Sequence, residues 1–132
     1  MGLRDDGHCF ACGRLNPAGL GLSFRAGGGE STADFTPRRE HQGYAGVAHG
    51  GIISAIIDEA MVKAAASAGV PAPVTAELSV RFKRPARVGE GLVVEARVEE
   101  ASGRVVSASA TVRRAADGEV LATGRGKLIS HE

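Results

Sequence analysis

Residues 50–68 read GGIISAIIDEAMVKAAASA, and this stretch decides the fold. Isoleucine, alanine, methionine and valine residues recur at helical spacing and cover most of the circumference of such a helix. A helix that is apolar on nearly every side is buried, because no side of it favours contact with water. Gly69, followed by Pro71 and Pro73, predicts its end. We therefore expect one buried helix at the centre of the protein.

The sequence on both sides of this helix alternates between apolar and polar residues, which is typical of strands. Before the helix we predict a strand from Leu20, a turn at glycines 27–29, a returning strand over 31–36 and a loop over 37–48. After it, four alternating runs predict a meander of four strands at 74–85, 92–101, 104–114 and 119–129. The predicted fold class is α+β, an antiparallel β-sheet wrapped around one long central helix.

Length and composition limit the function classes. The chain of 132 residues predicts one domain over 1–132, with an irregular leader at 1–18. The net charge of +1 and the absence of a long basic block argue against nucleic acid as a partner. Transmembrane helices need about 18 or more consecutive apolar residues, and signal peptides need an apolar stretch near the N-terminus. Neither pattern is present, so we expect a cytoplasmic protein with no membrane partner.

Gly50 and Gly51 stand where the helix begins. Their N–H groups belong to the first turn, which has no acceptors of its own, and the helix dipole makes this end electropositive. Without side chains they permit close approach of another group, as the binding of a carbonyl that gains negative charge would require. The alternative interpretation is that two glycines simply allow a tight entry into a packed helix.

Asp58 is an acid in the middle of an otherwise apolar helix. Such a group is costly unless it is paired or has a chemical role, and no helical neighbour of Asp58 can neutralise it. Glu59 differs, because Lys63 follows at the spacing of an exposed ion pair. Asp58 is therefore the candidate nucleophile or general base.

His49-Gly-Gly, with Asp58 nine residues after the histidine, resembles the signature of hotdog-fold acyl-CoA thioesterases. The most similar branches are the PaaI-like enzymes and the thioesterase-superfamily-member proteins. The segment TAELSVRFKRP at 75–85 resembles the strand that follows the helix in this family. The leader CFACGRLNPAGL at 9–20 is similar to one found in many bacterial members. The resemblance covers nearly the whole chain and implies the hotdog fold.

The resemblance also implies roles for individual residues. Asp58 matches the catalytic acid, Gly50 the residue whose N–H polarises the thioester carbonyl, and His49 a histidine of the binding loop. Thr75 matches a Ser or Thr that orients the attacking water. Many members carry Asn or Gln six residues before this histidine, but here that position is glycine. Gln42, one residue further away, is the amide that would have to reach the carbonyl.

A short basic cluster, Arg81, Lys83, Arg84 and Arg87, lies near the end of a predicted strand. These cations could bind the phosphates of coenzyme A, with Gly51 as a further contact to the substrate. Alternatively, they keep a strand soluble and protect it from aggregation. Alternation over the predicted strand would send Arg81 and Lys83 to one face and Arg84 to the other.

Cys9 and Cys12 have the spacing of zinc ligands, and His8 or His41 could contribute. A structural zinc site usually has four protein ligands, and the sequence shows half of a convincing set. We therefore predict small buried thiols, no metal and no cofactor other than the coenzyme A of the substrate.

The sequence thus predicts hydrolysis of an acyl-CoA to a free acid and coenzyme A. Asp58 would attack the carbonyl directly, or deprotonate a water molecule. Two other interpretations stay open. In a hotdog hydratase or dehydratase, His49 would serve as the base, and in a regulatory module the same fold would bind acyl-CoA without catalysis.

Helix geometry predicts a homodimer, which the resemblance also implies, with a dimer of dimers as a further possibility. Gly50 and Asp58 are about 12 Å apart along one helix, because each residue rises about 1.5 Å. An Asp side chain cannot span that distance, so each site would take its two parts from two chains.

Overall fold

The computed structural model describes residues 2–131, in which one α-helix packs on a six-stranded antiparallel sheet. The elements are β1 (Arg25–Gly27), β2 (Glu30–Phe35), a 3-10 helix (Arg39–His41), α1 (Gly50–Ser67), β3 (Pro73–Phe82), β4 (Leu92–Ser102), β5 (Val105–Arg114) and β6 (Val120–Ser130). The strand order is β1-β2-β4-β5-β6-β3. The predicted α+β architecture of a sheet wrapped around one central helix is confirmed. No helix in the described residues is long and apolar enough to cross a membrane.

Helix α1 begins at the predicted residue and ends one residue earlier than predicted. Ile56, Ile57 and Met61 in its middle have no exposed surface. It contacts all six strands, but one face, which includes Ile52, Ala55 and Val62, is only half-buried. The helix stops at Ser67, and Gly69 then adopts a φ of +89°, a left-handed conformation that favours glycine and cannot continue a helix.

Two glycines of β6 allow this helix to lie directly on the sheet. A Cβ atom on Gly124 would come within 2.4 Å of Cγ2 of Ile57. A Cβ atom on Gly126 would come within 2.8 Å of Cε of Met61. Because neither position has room for a methyl group, the distance between α1 and β6 depends on these two missing side chains.

The prediction of a strand from Leu20 is wrong in its start. Leu20 and Leu22 are buried as the alternation predicts, but they do not join the sheet, which begins at Arg25. Their N–H groups donate instead to the carbonyl oxygens of Phe10 and Ala11, at 2.8 and 3.0 Å. Backbone pairing with the leader therefore replaces pairing with a strand, and alternation alone does not distinguish these two cases.

The predicted four-strand meander is also wrong in its order. Strands β4, β5 and β6 form a meander of three, whereas β3 pairs with β6 and lies at the edge of the sheet. Strand β3 ends at Phe82, three residues before the predicted end. The N–H groups of Lys83 and Arg84 both donate to the Leu121 carbonyl, which turns the chain away from the strand. Because β3 is an edge strand, the apolar side chains of Leu78 and Phe82 stay 39% and 53% exposed.

The close contact between α1 and β6 can be tested with Gly124→Ala. The added methyl group must displace Ile57, which is fully buried. We expect the free energy of unfolding, measured with denaturant, to fall by about 1–3 kcal/mol. The control is Gly27→Ala, since a Cβ there meets nothing within 4 Å. Equal stability of the two variants would contradict the inferred role of Gly124.

Candidate functional site

The first turn of α1 leaves one N–H group without an acceptor. The N–H of Gly51 donates to Nδ1 of His49 at 2.8 Å, so His49 caps the helix with its ring. The N–H groups of Ile52 and Ile53 donate to the His49 carbonyl, at 2.9 and 3.2 Å. Among residues 2–131, the N–H of Gly50 has no hydrogen-bond acceptor. Gly50 is therefore the donor at the helix start that is free to bind a ligand.

Hydrogen bonds to the buried His41 stabilise the loop before the helix. The sequence suggested His41 only as a metal ligand. His41 is 5% exposed, and its carbonyl accepts the N–H of His49 at 2.8 Å. Its Nδ1 accepts the N–H of Arg38 at 2.9 Å. Burial, followed by the nearby Arg38 guanidinium, lowers the pKa of His41, which keeps the ring neutral and able to accept. Sequence analysis missed this supporting role because His41 becomes a neighbour of His49 only when the loop folds.

Gln42 also stabilises the loop. Its Oε1 accepts the N–H of Gly46 at 3.0 Å, and its backbone forms an isolated bridge with Ala48. The side-chain oxygen is thereby occupied, and the side-chain NH2 group remains as the donor that Gln42 could offer to a substrate.

An open cavity of about 690 Å³ lies beside the helix start. Gly50 and His49 form one side of it, and Phe82 and other apolar side chains form much of the rest. Lys83 and Arg84 also line it. The cavity thus joins an apolar wall to a free N–H donor and two cations, a combination that suits an apolar ligand with a polar, anionic end.

Asp58 lies away from this cavity, further along α1. It is half-buried, and the hydroxyl of Thr75 on β3 donates to its Oδ1 at 2.5 Å. Neither residue lines the cavity at Gly50, and no Asp or Glu is among the residues that line it. The structure therefore brings Asp58 and Thr75 together, and brings Gly50 and His49 together, but keeps the two pairs apart within one chain.

The cations of the basic cluster do not lie on the faces that the sequence predicted. Because β3 ends at Phe82, strand alternation does not separate Lys83 from Arg84, and both residues line the cavity. Arg84 forms an ion pair with Glu119, with 2.6 Å between Nε and Oε1. Arg81 is exposed on β3 and does not line the cavity.

Glu59 has a different environment from the exposed ion pair that the sequence suggests. Its carboxylate lies 3.9 Å from Nζ of Lys63, but its side chain is only 13% exposed. Oε2 of Glu59 also accepts hydrogen bonds from Sγ of Cys12 at 2.9 Å and Sγ of Cys9 at 3.6 Å. The leader folds back onto α1 at this point, so the two thiols meet a carboxylate that is 47 or more residues away in the chain.

Known proteins are similar to this chain in sequence and in architecture. Residues 45–121, more than half of the chain, match the profile of the thioesterase superfamily. A curated relative from Deinococcus radiodurans, named "Putative esterase", is 39% identical over 87 residues. That match covers 66% of this chain and 58% of the relative, so the chain spans less than two thirds of that protein.

Solved structures have the same fold. The crystal structure of a thioesterase superfamily protein superposes with a TM-score of 0.85 at 27% identity, covering 93% of this chain and 63% of that one. A hypothetical thioesterase protein from Streptococcus pneumoniae, crystallised with coenzyme A, superposes with a TM-score of 0.77 at 14% identity. That superposition covers 82% of this chain and 84% of the other. With a matching profile over α1 and strands β3, β4 and β5, the chain belongs to the thioesterase superfamily, and its sheet around one helix is the hotdog fold.

Proposed function

We propose that the protein is an acyl-CoA thioesterase, which hydrolyses the thioester to a free acid and coenzyme A. The observation that carries the proposal is that Gly50, whose N–H has no acceptor among the described residues, lines a largely apolar cavity at the helix start. The Deinococcus relative, whose name denotes an esterase, and membership of the thioesterase superfamily support a hydrolytic reaction of this class.

The Gly50 N–H would bind the thioester oxygen. This oxygen gains negative charge as the carbonyl is attacked, and a preorganised donor at the positive end of a helix stabilises that charge. His49 contributes by capping Gly51, which fixes the first turn and leaves the N–H of Gly50, a residue that lines the cavity, as the donor without an acceptor. His49 and Gly51 are then positioning groups, and Gly50 is the group in contact with the reacting atoms.

Asp58 would supply the other half of the chemistry. It either attacks the carbonyl carbon or removes a proton from the attacking water molecule. The hydrogen bond from Thr75 holds the carboxylate in one orientation, and the same hydroxyl can accept from a water molecule. Such a reaction requires no metal and no redox cofactor, since the leaving thiolate and the new acid account for all atoms of the thioester and the water.

The acid would come from a second chain. Asp58 lies about 12 Å along the helix from Gly50, beyond the reach of its own cavity. The edge strand β3 presents Leu78 and Phe82 partly exposed, and edge strands with unpaired backbone groups readily pair with another chain. Antiparallel pairing about a two-fold axis would carry Asp58 of each protomer toward Gly50 of the other. We therefore propose a homodimer with two equivalent sites, to which a second dimer could add.

Lys83 and Arg84 would bind the phosphates of coenzyme A. Both line the cavity that holds the Gly50 donor. Their charged N–H groups can form strong hydrogen bonds with the oxygen atoms of a phosphate. The pneumococcal protein crystallised with coenzyme A has the same fold. Arg81 lies outside the cavity lining and would contribute only through the general positive field.

A hydratase with His49 as its base is less well supported. Nδ1 of His49 accepts a hydrogen bond from Gly51, so the remaining nitrogen of the neutral ring carries the proton. That tautomer donates and does not abstract protons. A regulatory module without catalysis leaves the Asp58–Thr75 pair without a role.

The first test of the proposed reaction is Asp58→Asn. We expect kcat for thiol release from a panel of acyl-CoA substrates to fall by about 100-fold or more, because the group that attacks or activates water is lost. Glu59→Gln is the control, since it changes the adjacent carboxylate on the same helix. Near-normal turnover in Asp58→Asn, or a larger loss in Glu59→Gln, would overturn the assignment of Asp58.

The two-chain site can be tested by complementation between Asp58→Ala and Gly50→Pro. Proline is tolerated at the first position of a helix and removes the polarising N–H. After the two inactive variants are unfolded and refolded together, half of the dimers should be mixed, and each should have one intact site. About a quarter of wild-type activity should return. If both variants fold, exchange of subunits is demonstrated and the mixture stays inactive, then the site does not cross the interface.

The coenzyme A contact predicts a substrate-dependent effect of Lys83→Gln. We expect KM for an acyl-CoA to rise about threefold to tenfold, with kcat nearly unchanged, because a charged contact to phosphate is lost. The KM for the matching acyl-pantetheine, which has no nucleotide, should stay the same. Arg81→Gln is the control cation outside the cavity. Equal KM values of the wild type for the two substrates would contradict the phosphate contact.

A further inference from the structure

The leader and the helix together form a cluster of sulfur and oxygen atoms that could bind a metal ion and that the proposed hydrolysis does not use. The two Sγ atoms of Cys9 and Cys12 and a carboxylate oxygen of Glu59 all lie within 4.8 Å of one another. The three residues are partly buried. They come from two segments of the chain that only the fold brings together, and Cys9 and Cys12 form no disulfide.

We propose that Cys9, Cys12 and Glu59 bind a zinc ion that ties the leader to helix α1. In a tetrahedral site, Zn–S bonds of about 2.3 Å and Zn–O bonds of about 2.0–2.2 Å place sulfur and oxygen ligands about 3.5 Å apart. The separations of Glu59 Oε2 from the two sulfurs are 2.9 and 3.6 Å. A small outward shift of one sulfur would therefore open the cluster to the size of a zinc ion.

The backbone of the leader is closed tightly around the two thiols. The N–H of Gly13 donates to the Cys9 carbonyl at 2.8 Å, which folds the CxxCG segment into a turn. A Cβ atom on Gly13 would lie 2.3 Å from the Cys9 nitrogen and 2.6 Å from the Gly7 carbonyl oxygen. Only glycine fits this position, so the turn that holds both sulfurs on one side is fixed by the packing of the backbone.

The charges of the cluster favour a divalent ion. Both thiols are uncharged. The Glu59 carboxylate lies 3.9 Å from the Lys63 ammonium, so their charges cancel and the cluster is neutral. Binding of Zn²⁺ releases the two thiol protons, so the cluster is neutral again with two thiolates in place. Two thiolates select zinc over magnesium or calcium, which prefer oxygen ligands.

The fourth ligand would be a water molecule. A depression of about 450 Å³ opens beside the cluster and is lined by leader residues together with the start of β3. His8, which the sequence suggested as a ligand, lines this depression but is not part of the cluster, and its Nδ1 lies 3.2 Å from the Asp6 carbonyl oxygen. The proposal departs from the sequence-based expectation of no metal, because the third ligand comes from the helix.

A redox pair is the other use of a CxxC sequence, and this environment does not favour it. Burial, followed by the hydrogen bond to Glu59, raises the pKa of the Cys12 thiol to about 12. Reactive cysteines instead have lowered pKa values, because the thiolate is the nucleophile in disulfide exchange. A cation bound among the three ligands reverses this effect by supplying the positive charge that the thiolates need.

The test is the metal content of the full chain, purified without chelators and without a metal-affinity tag. Elemental analysis should find about one zinc per chain, and removal of zinc with a strong chelator should lower the melting temperature. Cobalt(II) in place of zinc should give the intense visible absorption of a tetrahedral site and a thiolate-to-metal band in the near ultraviolet. The double variant Cys9→Ser/Cys12→Ser should lose the zinc, the cobalt bands and the effect of the chelator.

Two further variants separate a metal site from a hydrogen-bonded network. Glu59→Gln keeps the size of the side chain but removes a charged ligand, so its zinc should dissociate at lower chelator concentrations than that of the wild type. Lys63→Gln removes the neighbouring ion pair and no ligand, so it should retain zinc. The proposal is overturned if wild-type protein, equilibrated with Zn²⁺ and desalted, holds less than about a tenth of a zinc per chain.

Discussion

Helix α1 lies so close to β6 that a Cβ atom on Gly124 would sit 2.4 Å from Ile57. This contact sets the distance between the helix and β6, and the helix also packs against the other five strands. The free N–H of Gly50, the cavity beside it and the position of Asp58 all depend on a helix held at this distance.

A helix buried in this way has few directions in which a polar side chain can find a partner. Asp58 and Glu59 are consecutive, and consecutive residues point about 100° apart around a helix. Asp58 therefore meets Thr75 on the edge strand β3, whereas Glu59 meets the thiols of the leader. Two carboxylates side by side in the sequence serve two separate places, the proposed hydrolytic site and the proposed zinc site.

Some features follow from the sequence alone. The bounds of α1, the strands that follow it and the burial of Leu20 and Leu22 could be predicted, because hydrophobic periodicity reports directly on which side chains leave water. Asp58 could also be identified as a candidate catalytic residue. A carboxylate on an otherwise apolar helix is costly without a compensating partner, and its neighbours in the sequence provide none. The Asp58–Thr75 pair was available only through the family resemblance, and the structure places these two side chains in contact.

Other features were decided by the tertiary structure. Periodicity identifies a strand but carries no information on its neighbours, so the pairing of β3 with β6, and of the Leu20 segment with the leader, could not be inferred. The common orientation of Lys83 and Arg84 depends on a turn made by the distant Leu121 carbonyl. The meeting of Cys9 and Cys12 with Glu59 likewise joins residues far apart in the chain. Sequence alone determined which side chains leave water and their spacing along the chain. Long-range packing decided which side chains meet, because a contact between distant segments is a property of the whole fold.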